Sequence, residues 1–282
     1  MAIFYVDGRF VPSEEATIPI NDLALLRGFG IFDFLKTYNG KPFLLKEHIE
    51  RLQKSAAQIG LELPWPHREL VDIVRQTLDQ NNQSESNIRI VVTGGSSPDF
   101  ITPQGKPRLL VLVTSQAEPP KSWYTEGVKI ITIDSERNIP AAKSIDYIPA
   151  TIALKQARRQ NAIEAVYVDR GGYVLEGTTS NLFIFSENRL ITPGRAIHNG
   201  ITRRVVLKLA EGIYETEIRD IKSGELHSAA EVFITGSNKE IVPVVKIDET
   251  VVANGKPGKH TQMLMNTFVT YANEKAQADW QR

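Results

Sequence analysis

The 282-residue chain contains no cysteine, which excludes disulfides and thiolate chemistry. It has no excess of either charge: Lys and Arg total 33, and Asp and Glu total 33. No net field therefore points to nucleic acid or an anionic membrane, and only a local basic pocket for a small anion stays open. No apolar run approaches a membrane span, and Met1-Ala2-Ile3-Phe4-Tyr5 lacks a basic segment followed by a long apolar core. Internal repeats and low-complexity tracts are also missing. The expectation is a soluble cytoplasmic protein with no nucleic-acid or membrane partner and no metal. Its length suggests about two domains or one large one. Gln116-Ala117-Glu118-Pro119-Pro120-Lys121, polar and double-proline, is the best linker, dividing the chain into domains 1–118 and 119–282.

Periodicity supplies the elements. Ile3 to Val6 and Arg9 to Pro12 flank the turn dipeptide Asp7-Gly8 as a hairpin. Ile31 to Tyr38 alternates as a strand, preceded by Gly28-Phe29-Gly30, where glycine permits a close backbone approach. Ile49, Leu52, Ala56 and Ile59 predict one helix, and Leu70, Val71, Val74 and Leu78 a second one opened by Pro66. Ile88 to Thr93 and Leu109 to Val113 form paired strands. Arg89 is the odd residue of its run: inward it needs an anion, outward it is an ordinary strand charge. Further on, Val128 to Ile133 restarts a sheet, Ala150, Ala153, Leu154 and Ala157 predict a helix, and Asp169-Arg170-Gly171-Gly172 joins two strands. Gln262 to Glu274 is expected as the closing helix.

Two stretches carry chemistry. Ala141-Ala142-Lys143-Ser144-Ile145-Asp146-Tyr147 places a tyrosine four residues after a lysine. Tyr173-Val174-Leu175-Glu176-Gly177-Thr178-Thr179-Ser180-Asn181 places a carboxylate before a run of small polar residues. An amine for a Schiff base, a phenol for a ring oxygen and a carboxylate for a protonated pyridine nitrogen are what an aldehyde cofactor requires. Gly200-Ile201-Thr202-Arg203 opens a predicted helix whose free amides can receive an anion. Gly236-Ser237-Asn238 ends a strand in a second turn of that kind.

In this order, these motifs resemble the class IV, or fold type IV, family of pyridoxal 5'-phosphate (PLP)-dependent aminotransferases, from Tyr5 to Gly258. That family includes branched-chain and D-amino-acid transaminases and aminodeoxychorismate lyase. The resemblance implies a mixed α+β fold with a small N-terminal α/β domain and a larger C-terminal domain with a barrel-like sheet. It further implies that Lys143 is the catalytic amine, and that Arg51, Tyr147, Glu176, Ile201, Thr202, Ser237 and Asn238 hold PLP. Phe29, Phe32 and Phe34 become pocket walls, and Thr179 a substrate contact. The partners implied are an amino acid, a 2-keto acid and a second copy of the chain that completes the site.

For substrate, the chain departs from both familiar patterns of that family. Ser96 to Ile101 lacks the Arg-x-His of the usual D-amino-acid enzyme, and Phe32-Asp33-Phe34 stands where branched-chain enzymes often have Phe-Glu-Gly. Arg27 and Arg89 are then expected to hold the carboxylate of a D-amino acid. The alternatives are a branched-chain L-amino-acid transaminase, a lyase on the same fold, or a module that only binds PLP or a metabolite.

Overall fold

The computed structural model describes residues 1–281, which divide into two compact units. The first comprises Met1–Ala117, Ala141–Asp146 and Ala272–Arg282, and the second Glu118–Pro140 and Tyr147–Tyr271. The chain leaves the first unit after Ala117 and returns to it twice. The lysine segment returns because its backbone is bonded to a strand there, as described below.

In the first unit, β1 (Ile3–Val6) and β2 (Arg9–Pro12) form the expected hairpin, with Asp7 and Gly8 both at positive φ. The short helix α1 (Leu23–Arg27) is capped by Asp22, whose side chain accepts from the Ala24 amide, and is closed by Gly28. Next come β3 (Gly30–Tyr38), β4 (Lys41–Pro42), α2 (Leu45–Gln58), α3 (His67–Asp79), β5 (Ser86–Thr93) and β6 (Arg108–Ser115). The six strands lie in the order β2-β1-β6-β5-β3-β4. Ile31 and Leu35 of β3 and Ile88, Ile90 and Val92 of β5 share one core with Ile49 and Leu52 of α2 and Leu70 and Val74 of α3. With side chains alternating across a strand, Asp33 falls on this core side, whereas Phe32 and Phe34 face the other way.

The second unit holds α4 (Ser122–Thr125), β7 (Val128–Asp134), α5 (Ile148–Arg159), β8 (Glu164–Val168), β9 (Tyr173–Gly177), β10 (Asn181–Ser186) and β11 (Arg189–Thr192). They are followed by α6 (Ile201–Ala210), β12 (Glu215–Ile218), β13 (Ile221–Lys222), α7 (Ser223–Ser228), β14 (Glu231–Gly236), β15 (Glu240–Ile247), β16 (Thr250–Val251) and α8 (Lys259–Trp280). A ten-stranded sheet runs β12-β11-β10-β14-β15-β7-β8-β9-β13, with β16 on β15, and curls as a half-barrel. β7 and β8 are parallel and joined by α5, a crossover that needs a helix-length connection. Leu182, Ile184, Val232, Ile234, Val242 and Val244 pack into one core, while Phe183 and Phe233 stack at 4.9 Å elsewhere in the unit.

The closing helix is longer than its apolar pattern predicts. It starts at Lys259 because the Glu231 carboxylate accepts from the His260 and Thr261 amides, which a helix start otherwise leaves unpaired. Its far end is held in the first unit, where Lys41 and Arg75 lie 4.6 and 4.9 Å from the Trp280 ring.

Candidate active site

In the first unit, the lysine segment is laid along the free edge of β3. The Phe32 amide donates to the Lys143 carbonyl at 2.9 Å, the Ile145 amide donates to the Gly30 carbonyl at 3.1 Å, and Ile31 bridges Ser144. Ser55 Oγ accepts from the Lys143 amide at 3.1 Å. Gly30 is needed here, since a Cβ would lie 2.6 Å from the Val92 carbonyl and 3.0 Å from Ile145. The Lys143 amine is 4.7 Å from the centre of the Phe32 ring. The backbone of the segment is thus tied to β3 and α2 at three points.

Behind β3, Asp33 is fully buried between His48 and Arg51. Arg51 donates from Nε to Oδ2 at 2.9 Å and from Nη2 to Oδ1 at 2.7 Å, and His48 Nδ1 donates to Oδ1 at 2.6 Å. Burial pushes the Asp33 carboxyl up, but the Arg51 charge and the hydrogen bonds from Arg51 and His48 outweigh it and hold it far below the usual range. Burial also moves His48 down, so the imidazole is neutral at neutral pH. Arg51 is singled out only by the family resemblance, and its partner Asp33 carries no such mark in the sequence. The only signal was a carboxylate inside the apolar run Ile31 to Leu35.

Arg89 points outward and is exposed, which removes the argument that a buried anion must compensate it. Ile88 and Ile90 take the core side of β5, so alternation turns Arg89 away. It stands opposite Phe34 and lies 5.8 Å from both the Phe32 and Phe34 rings. Phe32 therefore has the Lys143 amine and the Arg89 guanidinium both within cation–π range. Phe29 packs on the core. Arg27 ends α1 in solvent, its Nη1 donating to the Leu26 carbonyl at 2.7 Å.

In the second unit, Glu176 is buried near the end of β9. Arg137 Nε is 2.8 Å from its Oε1, and its Oε2 accepts from the His198 amide at 3.0 Å and Asn181 Nδ2 at 3.3 Å. Arg137 also donates to the Thr178 carbonyl at 2.6 Å and lies 5.6 Å from the Tyr147 ring. Burial raises Tyr147, with Arg137 pulling the other way, so the phenol stays protonated. Neither Arg137 nor His198 stands out in the sequence, because each lies in an irregular stretch without period.

Gly200 begins α6 without a side-chain cap, and a Cβ on it would strike Asn181 Oδ1 at 2.0 Å. The first amides of α6 are thus not taken by a capping side chain, and Ile201 and Thr202 are both buried. Thr235, directly across the sheet register from Asn181, is buried and its hydroxyl has no partner among the described residues. Ser237 is half-buried and Asn238 exposed in the turn beyond it. The Thr179 hydroxyl is engaged by Glu164 at 2.6 Å and Lys239 at 2.8 Å. Within the second unit, a charge-paired carboxylate, an uncapped helix start and a buried hydroxyl without a partner are groups that suit a protonated ring nitrogen and a phosphate.

A family model described as amino-transferase class IV matches residues 30–247. The chain is 37% identical to a putative branched-chain-amino-acid aminotransferase of Methanocaldococcus jannaschii, over 94% of each. The chain belongs to the class IV aminotransferases. It is also 34% identical to a D-alanine aminotransferase of Staphylococcus epidermidis, over 96% of this chain and 98% of that one. A branched-chain amino acid aminotransferase from T.th., solved with pyridoxamine 5'-phosphate, has a similar structure. Its TM-score is 0.90 at 27% identity, covering 97% of this chain and 95% of that one. Class IV aminotransferases use PLP, and the mixed α+β fold with a curled sheet is the one the motifs imply.

Proposed function

We propose that this class IV aminotransferase moves the amino group of a D-amino acid to a 2-keto acid such as 2-oxoglutarate or pyruvate. The observation that carries the reading is the Phe32 ring, with the Lys143 amine on it at 4.7 Å and the Arg89 guanidinium at 5.8 Å. An α-carboxylate bound by Arg89 lies on the same sheet face as the amine that must reach the α-proton. With nitrogen and proton positions fixed, the carboxylate's place decides the hand of the substrate. The likeness to D-alanine aminotransferases supports assigning that hand as D.

Bound PLP supplies an electron sink. In this reading Lys143 anchors it and carries the proton, and Glu176, ion-paired with Arg137 at 2.8 Å, favours its protonated ring nitrogen. Tyr147 faces the ring oxygen, while Arg51, Ile201, Thr202, Ser237 and Asn238 take the phosphate. Arg51 serves there with the nitrogen that Asp33 leaves unused, Nη1. The Thr179 hydroxyl is engaged by Glu164 and Lys239, so in this reading Thr179 meets the substrate through its backbone.

A homodimer completes the reading. In the first unit, the Ser97 amide donates to the Asn21 carbonyl, which joins two segments that expose Ile20 (81%) and Leu25 (61%) on one and Phe100 and Ile101 on the other. Exposed apolar residues grouped this way mark an interface, and Arg27 lies at its border. A second copy on this face would receive Arg27 as a further carboxylate ligand.

Donors D-alanine, D-glutamate and L-leucine, each with 2-oxoglutarate and with pyruvate, test the proposal. A preference for L-leucine would install the branched-chain reading, which the Methanocaldococcus relative supports. Pyruvate release from aminodeoxychorismate without keto-acid exchange would install the lyase.

A further inference from the structure

Glu164 opens β8 with a side chain that is fully buried, yet it gathers polar partners from two separate turns. From the turn after β9 it accepts from the Thr178 hydroxyl, the Thr179 hydroxyl at 2.6 Å, the Thr179 amide at 3.3 Å and the Ser180 hydroxyl at 3.0 Å. From the turn after β14 it accepts from the Lys239 amine at 3.0 Å, and that amine also donates to the Thr179 hydroxyl at 2.8 Å. Lys239 is itself buried, its carbonyl accepting from Tyr124 and its amide donating to the Gly236 carbonyl. The two turns touch directly as well, since a Cβ on Gly236 would meet the Thr179 carbonyl at 3.2 Å. Burial pushes the Glu164 carboxyl up, but Lys239 and the threonine hydroxyls outweigh it and keep it ionised.

A buried ion pair adds little net stability over an apolar pair, so its use lies elsewhere. The turn after β9 has Glu176 and Asn181 at its two ends, and the turn after β14 contains Ser237 and Asn238. We infer that Glu164 and Lys239 are positioning residues that lock these two turns together and so fix the spacing between the pyridine-nitrogen carboxylate and the phosphate-binding turn. This rests on the cofactor roles proposed for Glu176 and Ser237. Both side chains are turned onto Thr179 and onto each other. Both act through Thr179 and the turn backbones, where displacements of about 1 Å weaken binding groups strongly.

The test compares wild type with Lys239→Met, Lys239→Arg, Thr179→Val and the double variant Glu164→Gln/Lys239→Met. Dissociation constants for PLP and for inorganic phosphate are measured alongside thermal midpoints. Lys239→Met should raise the PLP constant about tenfold or more, and Lys239→Arg should recover most of it. The double variant removes both charges, so its thermal midpoint should return toward wild type while its PLP constant stays high. Thr179→Val, which deletes only the shared hydroxyl, should weaken PLP binding in the same direction. A double variant or Thr179→Val with wild-type PLP and phosphate constants would reduce the pair to a packing role. A wild type that binds no PLP would instead overturn the parent reading, and this one with it.

Discussion

Arg51 grips Asp33 through two parallel hydrogen bonds, of 2.9 and 2.7 Å, on a carboxylate with no exposure to solvent. Removing one member leaves the other as a buried unpaired charge. Asp33→Ala should therefore destabilise the protein by about 3–5 kcal/mol. The pH dependence has a fixed sign, because Asp33 is held below its ordinary value in the folded state. Its contribution is full above about pH 4, the unfolded value, and fades as pH falls toward the folded one. The thermal midpoints of wild type and Asp33→Asn should differ at pH 7 and converge on acidification. A gap independent of pH would show that the Asp33 charge is not what stabilises the pair.

Borohydride reduction in the presence of PLP should fix the cofactor on Lys143. Lys143→Ala should keep its fold, resist labelling and lose roughly 100-fold or more in kcat, the scale of a positioned acid/base. Peptide mapping settles the matter, and a label on another lysine would remove Lys143 from the centre of the reading.

Glu176 has Arg137 as its charge partner at 2.8 Å. Arg137→Met should leave a buried carboxylate that gains a proton, so it no longer favours the protonated ring nitrogen. The expected result is a fall in kcat larger than the rise in KM, with a raised PLP dissociation constant. Unchanged kcat with intact folding would mean that Arg137 only packs against Tyr147 and Tyr167.

Arg89→Ala should reduce kcat/KM for D-alanine and D-glutamate by about 10- to 100-fold, the value of a charged hydrogen bond, while PLP absorbance survives. The exposure of Arg89 sets this figure below what a buried ion pair would give. Arg27→Ala should behave alike if the partner copy delivers it. Normal kcat/KM in both variants would leave the carboxylate without a ligand in this scheme.

Light scattering should give a homodimer at working concentration. Leu25→Asp, set in the exposed apolar face beside Arg27, should shift it toward monomer and lower activity together. A fully active monomer would contradict the shared site.

What the sequence made legible was local. Lys143 with Tyr147, Glu176 before Thr178 and Gly200 before Ile201 are contiguous strings whose chemistry depends on neighbours in the chain. Strands and helices followed from apolar period, because each element buries one face. The partners were not legible. Asp33 with Arg51, Arg137 with Glu176, and Glu164 with Lys239 join residues that only the tertiary fold brings together. A charged residue within an apolar strand was the one available sign, and it has two outcomes. Asp33 falls in register with inward Ile31 and Leu35, whereas Arg89 falls out of register with inward Ile88 and Ile90. Alternation along β5 is by itself enough to turn Arg89 outward.

Because the first compact unit takes in Ala141–Asp146 and the stretch from Ala272 onward as well as Met1–Ala117, it has no contiguous gene segment of its own. A ribosome making the chain from its N-terminus would release β1 to β6 long before the strip that edges β3, or Trp280 that meets Lys41 and Arg75, exists. The free edge of β3 must then wait, exposed, for its covering segment during synthesis. Cutting at the proline linker would strand the lysine from the strand that aims it, so a fragment ending at Ala117 should be poorly soluble, and the remainder should carry Lys143 on a loose loop.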